Sequence, residues 1–211
     1  MDESLRDELV SGLGELFQVP PDPERVEALL DYLHLLVRWN KTYNLTAIRD
    51  PRQMITRHLL DSLSVLPWIK DGRLLDAGTG AGLPGIPIAI MCPKMEVTLL
   101  DSAGKKVRFL NHVVRQLKLS QVSPVQDRLE SWTSEYSPDW IISRAFSNLG
   151  LFARASQHLA SKGTRLLAMK GRRPDDELAA LPEGWRVDSI EELHVPGLQE
   201  ERHLVIMSFI P

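Results

Sequence analysis

Leu5, Leu9, Leu13, Leu16 and Phe17 recur at the spacing of one helix face, and Val26, Leu29, Leu30, Leu33, Leu36 and Val37 repeat the pattern. Two amphipathic helices are expected at the start of the chain. Asp22 precedes Pro23 and Asp50 precedes Pro51. In each pair a carboxylate can accept from a free backbone N–H, and a proline stands in the first turn, where its missing N–H costs nothing. Helices should therefore begin near residues 22 and 50. The stretch between them, WNKTYNLTAIRD, is too polar and turn-rich to be expected in the core. Leu59, Leu63 and Leu66 then continue a helical apolar stripe.

From residue 73 the texture changes. Short apolar runs alternate with helical stretches: RLLDA, a helix from about Leu83, MEVTLLD, a helix over 103–118, then VSPVQD, DWIISR and GTRLLAMK. That alternation predicts a parallel sheet with helices on both faces. The end of the chain departs from it. WRVDSIEELHV and HLVIMSFI have only a turn around Pro196-Gly197 between them, so they should pair antiparallel. The expected fold class is α/β: a Rossmann-like, class I methyltransferase type with a doubly wound, mostly parallel sheet and an antiparallel C-terminal strand. A helical extension over residues 1–70 and a sheet domain over 71–211 are expected to form one compact unit.

Composition narrows the function more than the fold. In 211 residues there is no apolar run long enough to span a bilayer, and the opening MDESLRDELV is acidic, without a signal-peptide core. A cytoplasmic protein with no membrane association is expected. The single cysteine, Cys92, and six scattered histidines support neither a disulfide framework nor a metal site. The net charge of −3 conceals a pattern. Residues 1–35 and 174–211 each carry nine acids and two bases, which leaves residues 36–173 with 21 bases against 10 acids. A basic middle flanked by acidic ends suggests one face that attracts polyanions.

The glycine loop lies in that middle segment. In LLDAGTGAGLPG, residues 74–85, the letters from Gly80 satisfy the dinucleotide pattern G-x-G-x-x-G, the signature of a nicotinamide-dependent oxidoreductase. Read from Asp76, the same letters suit S-adenosylmethionine (AdoMet). Electrostatics favours the second reading. A carboxylate facing a pyrophosphate is repulsive by roughly 1 kcal/mol even in a watery dielectric, whereas AdoMet carries an ammonium and a sulfonium. Gly78, Gly80 and Gly82 would let the backbone turn sharply against the cofactor. Asp101, closing MEVTLLD, stands at the interval where an acid reaches ribose hydroxyls, and it could also cap the helix that follows.

The stretches WNKTYNLTAIRD, RHLLDSL, LLDAGTGAGLPGIPIAI, LLDSAGKKVRFLNHV, DRLE and SRAF together resemble the bacterial ribosomal RNA small-subunit methyltransferase G family, also called glucose-inhibited division protein B. The resemblance runs from about residue 39 to 170. It implies methyl transfer from AdoMet to N7 of a guanine in the 530 loop of 16S rRNA, within the small ribosomal subunit or its precursor. By motif it also implies that Gly78, Leu83, Leu129, Glu130 and Arg144 contact the cofactor. The protein is expected to act as a monomer.

The residues agree with that chemistry. Methylation at cytosine C5 would need a cysteine nucleophile near the fourth strand, and exocyclic amine methylation usually brings an Asn/Asp-Pro-Pro-aromatic loop there. Here the letters are Ser143-Arg144-Ala145-Phe146, and Cys92 lies after the glycine loop. Guanine N7 has a free lone pair, so no catalytic base is expected. Candidate phosphate contacts are Lys105, Lys106, Arg108, Lys170, Arg172 and Arg173. Asn44, Thr46, Arg57, His58 and Phe146 form a polar, cationic and aromatic group that could receive an unstacked base, although His58 and Asp61, three apart, could simply bond each other. A non-catalytic rRNA-binding assembly factor and a small-molecule methyltransferase are the other readings.

Overall fold

A computed structural model describes residues 3–178 and 180–210. Helices α1 (Glu3–Phe17) and α2 (Pro23–Tyr43) lead into α3 (Pro51–Met54), a π-helical stretch (Ile55–Leu60) and α4 (Asp61–Leu63). Strands and helices then alternate: β1 (Arg73–Ala77), α5 (Gly85–Met91), β2 (Glu96–Asp101), α6 (Gly104–Gln116), β3 (Val122–Gln126), β4 (Trp140–Ser143), α7 (Leu149–Ser156), β5 (Arg165–Lys170) and a short α8 (Asp175–Leu178). The chain ends in β6 (Trp185–Glu192) and β7 (His203–Phe209).

Both proline-led starts form as expected, with Asp22 accepting from Glu24 N and Asp50 from Arg52 N. The stretch after Trp39 does not stay out of the core. α2 runs on to Tyr43, and Asn40 is buried inside it, accepting from Thr46 N and donating to the Ile48 carbonyl. A buried amide that satisfies the turn beyond its own helix explains how so polar a segment is tolerated inside.

The seven strands lie in the order β3-β2-β1-β4-β5-β7-β6. β1 to β5 are parallel, and β7 pairs antiparallel with both β5 and β6. Strand order reverses between β1 and β4, so the loops leaving those two strands diverge and open a crevice at the sheet's carboxyl edge. Two apolar cores cover the faces. In one, Leu9 and Leu13 of α1 and Leu29 and Leu33 of α2 are packed continuously with Leu99, Phe109 and Ile142. In the other, Leu75, Ile141, Phe152, Leu166 and Val205 meet under α7. The helical extension thus shares a core with the sheet. Among the described residues, no helix is long and apolar enough to cross a membrane.

Candidate functional site

β1 delivers Asp76 and then turns through glycines with left-handed φ: +70° at Gly78, +64° at Gly80 and +98° at Gly82. Side chains rarely adopt such values, which is why glycine stands there. The expectation that Asp76 faces the crevice is corrected. Its carboxylate is fully buried beneath the loop, where Oδ2 accepts from Thr79 Oγ1 at 2.6 Å and from Gly85 N at 2.7 Å, while Oδ1 has no partner. Burial pushes its pKa up to about 7, against the opposing effect of those two hydrogen bonds. Asp76 therefore fastens the start of α5 to the end of β1. Gly85, the last glycine of the G-x-G-x-x-G letters, is required there because a Cβ would stand 2.3 Å from Leu99 Cδ2 and 2.8 Å from Asp76 Oδ2.

Asp101 is the acid that reaches the crevice. It is buried at the end of β2, accepts from Gly80 N at 2.9 Å and Lys106 Nζ at 3.1 Å through Oδ2, and accepts from Ala103 N through Oδ1. It does not cap α6, whose cap position is Ala103. A second contact holds the loop from the opposite side: Tyr32 of α2 donates to the Ala81 carbonyl at 2.8 Å. Nothing in the sequence around Tyr32 marks it for this role.

Around these groups lies a cavity of about 310 Å³, with Gly78, Leu100, Asp101, Leu129, Glu130 and Phe146 in its wall, together with Ser102, Lys106, Asp127, Arg128 and Ala145. The fold thus gathers six of the predicted residues: Gly78, Asp101, Lys106, Leu129, Glu130 and Phe146. Gly80, Gly82 and Leu83 do not line this cavity. The donor set suits AdoMet: apolar side chains for an adenine and three carboxylates, Asp101, Asp127 and Glu130, for hydroxyls and cationic groups. Two cations, Lys106 and Arg128, stand in the same wall, and Lys106 is paired with Asp101 at 3.1 Å.

Arg144 lines a different space. Its guanidinium reaches Asp61 Oδ2 at 3.1 Å, Ser62 Oγ and the Arg57 carbonyl, each at 3.2 Å. Asp61 is fully buried and also takes a two-pronged pair from Arg202, at 2.5 and 2.8 Å. His58 does not bond Asp61. It contacts Thr46 Oγ1 through Nε2 and the Arg57 carbonyl through Nδ1, and burial, then Arg144, lower its pKa to about 4. Asn44 closes α2 in a left-handed conformation and accepts from Arg49, while Arg57 pairs with Glu200.

Arg144 and Arg202 help line a second cavity of about 680 Å³, with Phe146, Lys170, Arg172 and Arg173. Phe146, stacked on Phe152 with ring centroids 5.0 Å apart, belongs to both cavities. Lys170 is corrected as a phosphate contact: it is 9% exposed, and its three donors are taken by the Ser147 carbonyl and Glu177. Arg173 pairs with Asp175, and Arg172 is exposed.

Residues 25–205 match the family model described as rRNA small subunit methyltransferase G. The chain belongs to this family. It is 52% identical over 207 residues to the ribosomal RNA small subunit methyltransferase G of Stutzerimonas stutzeri, covering 97% of this chain and 96% of that one. The protein of that name from an Escherichia coli strain is 49% identical over 179 residues, covering 85% and 86%. Among solved structures, a SAM dependent methyltransferase from Aquifex aeolicus aligns with a TM-score of 0.57 at 21% identity, over 75% of this chain and 94% of that one. TrmN from Thermus thermophilus also aligns at 0.57, with 17% identity, over 74% and 53%. These two likenesses establish the class I methyltransferase fold. The cofactor of this methyltransferase is AdoMet.

Proposed function

We propose that this methyltransferase modifies N7 of a guanine in the 530 loop of 16S rRNA, working as a cytoplasmic monomer on the small ribosomal subunit or its precursor. One observation carries the reading: Phe146 separates a carboxylate-lined, nucleoside-sized cavity from a wider one lined by Arg144, Arg172, Arg173 and Arg202. AdoMet supplies an electrophilic methyl when bound. Asp101, Leu129 and Glu130 would hold it, Gly78 giving the backbone room to approach.

The chain's own work is binding and alignment. Guanine N7 attacks through a lone pair already free, so no side chain has to take a proton. A base unstacked from the RNA can lie against Phe146, with Arg172 and Arg173 near its phosphates and the arginines around Asp61 beneath it. Bringing N7 to about 3–3.5 Å of the methyl carbon in line with the departing sulfur is then the main catalytic contribution. Behind Arg144, the Arg57 carbonyl accepts from its guanidinium and contacts His58 Nδ1. His58 in turn contacts Thr46 and stays neutral at physiological pH, whereas Asn44 is engaged with Arg49.

The test uses purified protein, AdoMet with a labelled methyl group, and small ribosomal subunits and their precursors from cells that lack the enzyme. Nucleoside mass spectrometry should find one N7-methylguanosine per particle at the 530 loop. Label on another base or atom, or none under conditions where the protein binds AdoMet, would refute the assignment.

A further inference from the structure

Two long stretches of the sequence contain no acid. Residues 32–49 carry Arg38, Lys41 and Arg49, and residues 102–126 carry Lys105, Lys106, Arg108, Arg115 and Lys118. Separated by some fifty residues, they are brought together by the fold. The Trp39 ring of α2 lies 5.5 Å from Phe109 and 5.2 Å from His112 of α6, and Lys105 Nζ donates to the Tyr43 carbonyl. Along α6, Lys105, Arg108, His112 and Arg115 fall within an arc of about 80° and a length of about 15 Å, given 100° and 1.5 Å per residue. The three bases in that stripe are exposed, and His112 is half-buried.

This stripe differs from the basic groups around the second cavity. There, nearly every cation has an acid beside it: Lys170 has Glu177, Arg173 has Asp175, and Arg144 and Arg202 share Asp61. Among the described residues, Lys105, Arg108 and Arg115 form no ion pair with an acid; Arg115 reaches only His112, at 3.4 Å. Helix stability does not account for the arrangement, because Lys105 and Lys106 stand in the first turn, where the aligned peptide dipoles disfavour positive charge. Lys106 is offset by Asp101, and Lys105 has no such offset. At the edge of the stripe Tyr43, 39% exposed, packs against Trp39 with ring centroids 5.1 Å apart. Unneutralised cations in a row beside an exposed aromatic ring are what a nucleic-acid backbone meets in sequence-independent binding.

We propose that the face made by α6 and the C-terminal end of α2 is a second RNA-binding surface, which grips the phosphate backbone flanking the target loop. The inference rests on the RNA-methylating reading above and adds to it where the substrate is held. Overall acidity does not oppose it, because the field at a surface is set by nearby charge and more distant groups are screened.

The test compares wild-type protein with Arg108→Glu/Arg115→Glu and with Arg108→Lys/Arg115→Lys. Fluorescence anisotropy would follow binding of the 16S fragment with the 530 loop and its flanking helices from 50 to 300 mM salt, and calorimetry would follow AdoMet. The glutamate pair should lose at least about tenfold in RNA affinity near 0.15 M salt. Its plot of log affinity against log salt should be shallower by about 1.4 to 1.8, the value for two lost phosphate contacts. The lysine pair should bind RNA as wild type, and all three proteins should bind AdoMet equally, which also reports an intact fold. Unchanged RNA affinity in the glutamate pair, or a loss that the lysine pair shares, would overturn this surface. Wild-type protein that binds AdoMet but neither the fragment nor the small ribosomal subunit would instead overturn the RNA reading itself.

Discussion

Asp76 shows how far a residue's surroundings can alter the meaning of its letter. At the end of a strand and before three spaced glycines it reads as a cofactor contact, yet its carboxylate lies under the loop and is bonded to Thr79 and Gly85. The consequence is a pH dependence. An acid whose pKa is raised on folding, here from 3.8 to about 7, is bound to a proton in the native state where the unfolded chain has released it. The native state therefore binds more protons between about pH 4 and 7, and stability falls as pH rises through that range. Asp76→Asn, which cannot ionise, removes this term. Relative to wild type, the variant should gain up to about 1.4 kcal/mol of stability per pH unit between 4 and 7. Urea unfolding of both proteins at pH 4, 5.5 and 7 measures it, and a pH-independent difference would contradict the assignment. His58 acts in the opposite sense. Its pKa is lowered to about 4, so its contribution is lost as pH falls from about 6.5 toward 4, and histidine NMR should find it neutral down to about pH 4.

At the scale of elements, the glycine loop is held by different constraints at successive positions. Gly80 and Gly82 both have left-handed φ, but an added Cβ at Gly80 meets nothing within 4 Å, whereas at Gly82 it would stand 2.6 Å from Ile86 Cγ1 and 2.9 Å from Leu110 Cδ2. Gly80→Ala should cost only the backbone strain, about 1–2 kcal/mol. Gly82→Ala should add an overpacking cost of about 1–3 kcal/mol. Thermal and urea denaturation should rank Gly82→Ala well below Gly80→Ala, and the reverse order would show that the loop packs differently. Much of this element was legible beforehand, because turns that require positive φ select glycine locally. The proline-led starts of α2 and α3 were legible for the same reason. Lys170 was misread because a lysine beside two arginines resembles an open basic patch until Glu177 of α8 closes over it.

Across the whole molecule, Asp61 joins three regions: the helical segment that contains it, Arg144 after β4, and Arg202 before β7. Removing its charge leaves two largely buried guanidinium groups without a counter-ion. Asp61→Asn should therefore lower stability by about 3 kcal/mol, seen as a lower urea midpoint, even though the residue lines neither cavity. A change under about 0.5 kcal/mol would mean that the arginines hold their places without it.

Helix and strand types, the parallel order followed by an antiparallel end, and the identity of the glycine turn were determined by the chain itself, since periodicity, caps and positive-φ requirements act among neighbours a few residues apart. Only the tertiary structure decided that Asp101 and not Asp76 faces the crevice, that Tyr32 of the extension holds the loop at Ala81, and that two acid-free segments merge into one basic face. Those outcomes depend on contacts between residues far apart in the chain, 49 positions for Tyr32 with Ala81 and 62 for Lys105 with Tyr43, and such pairings exist only after the fold has set which segments become neighbours.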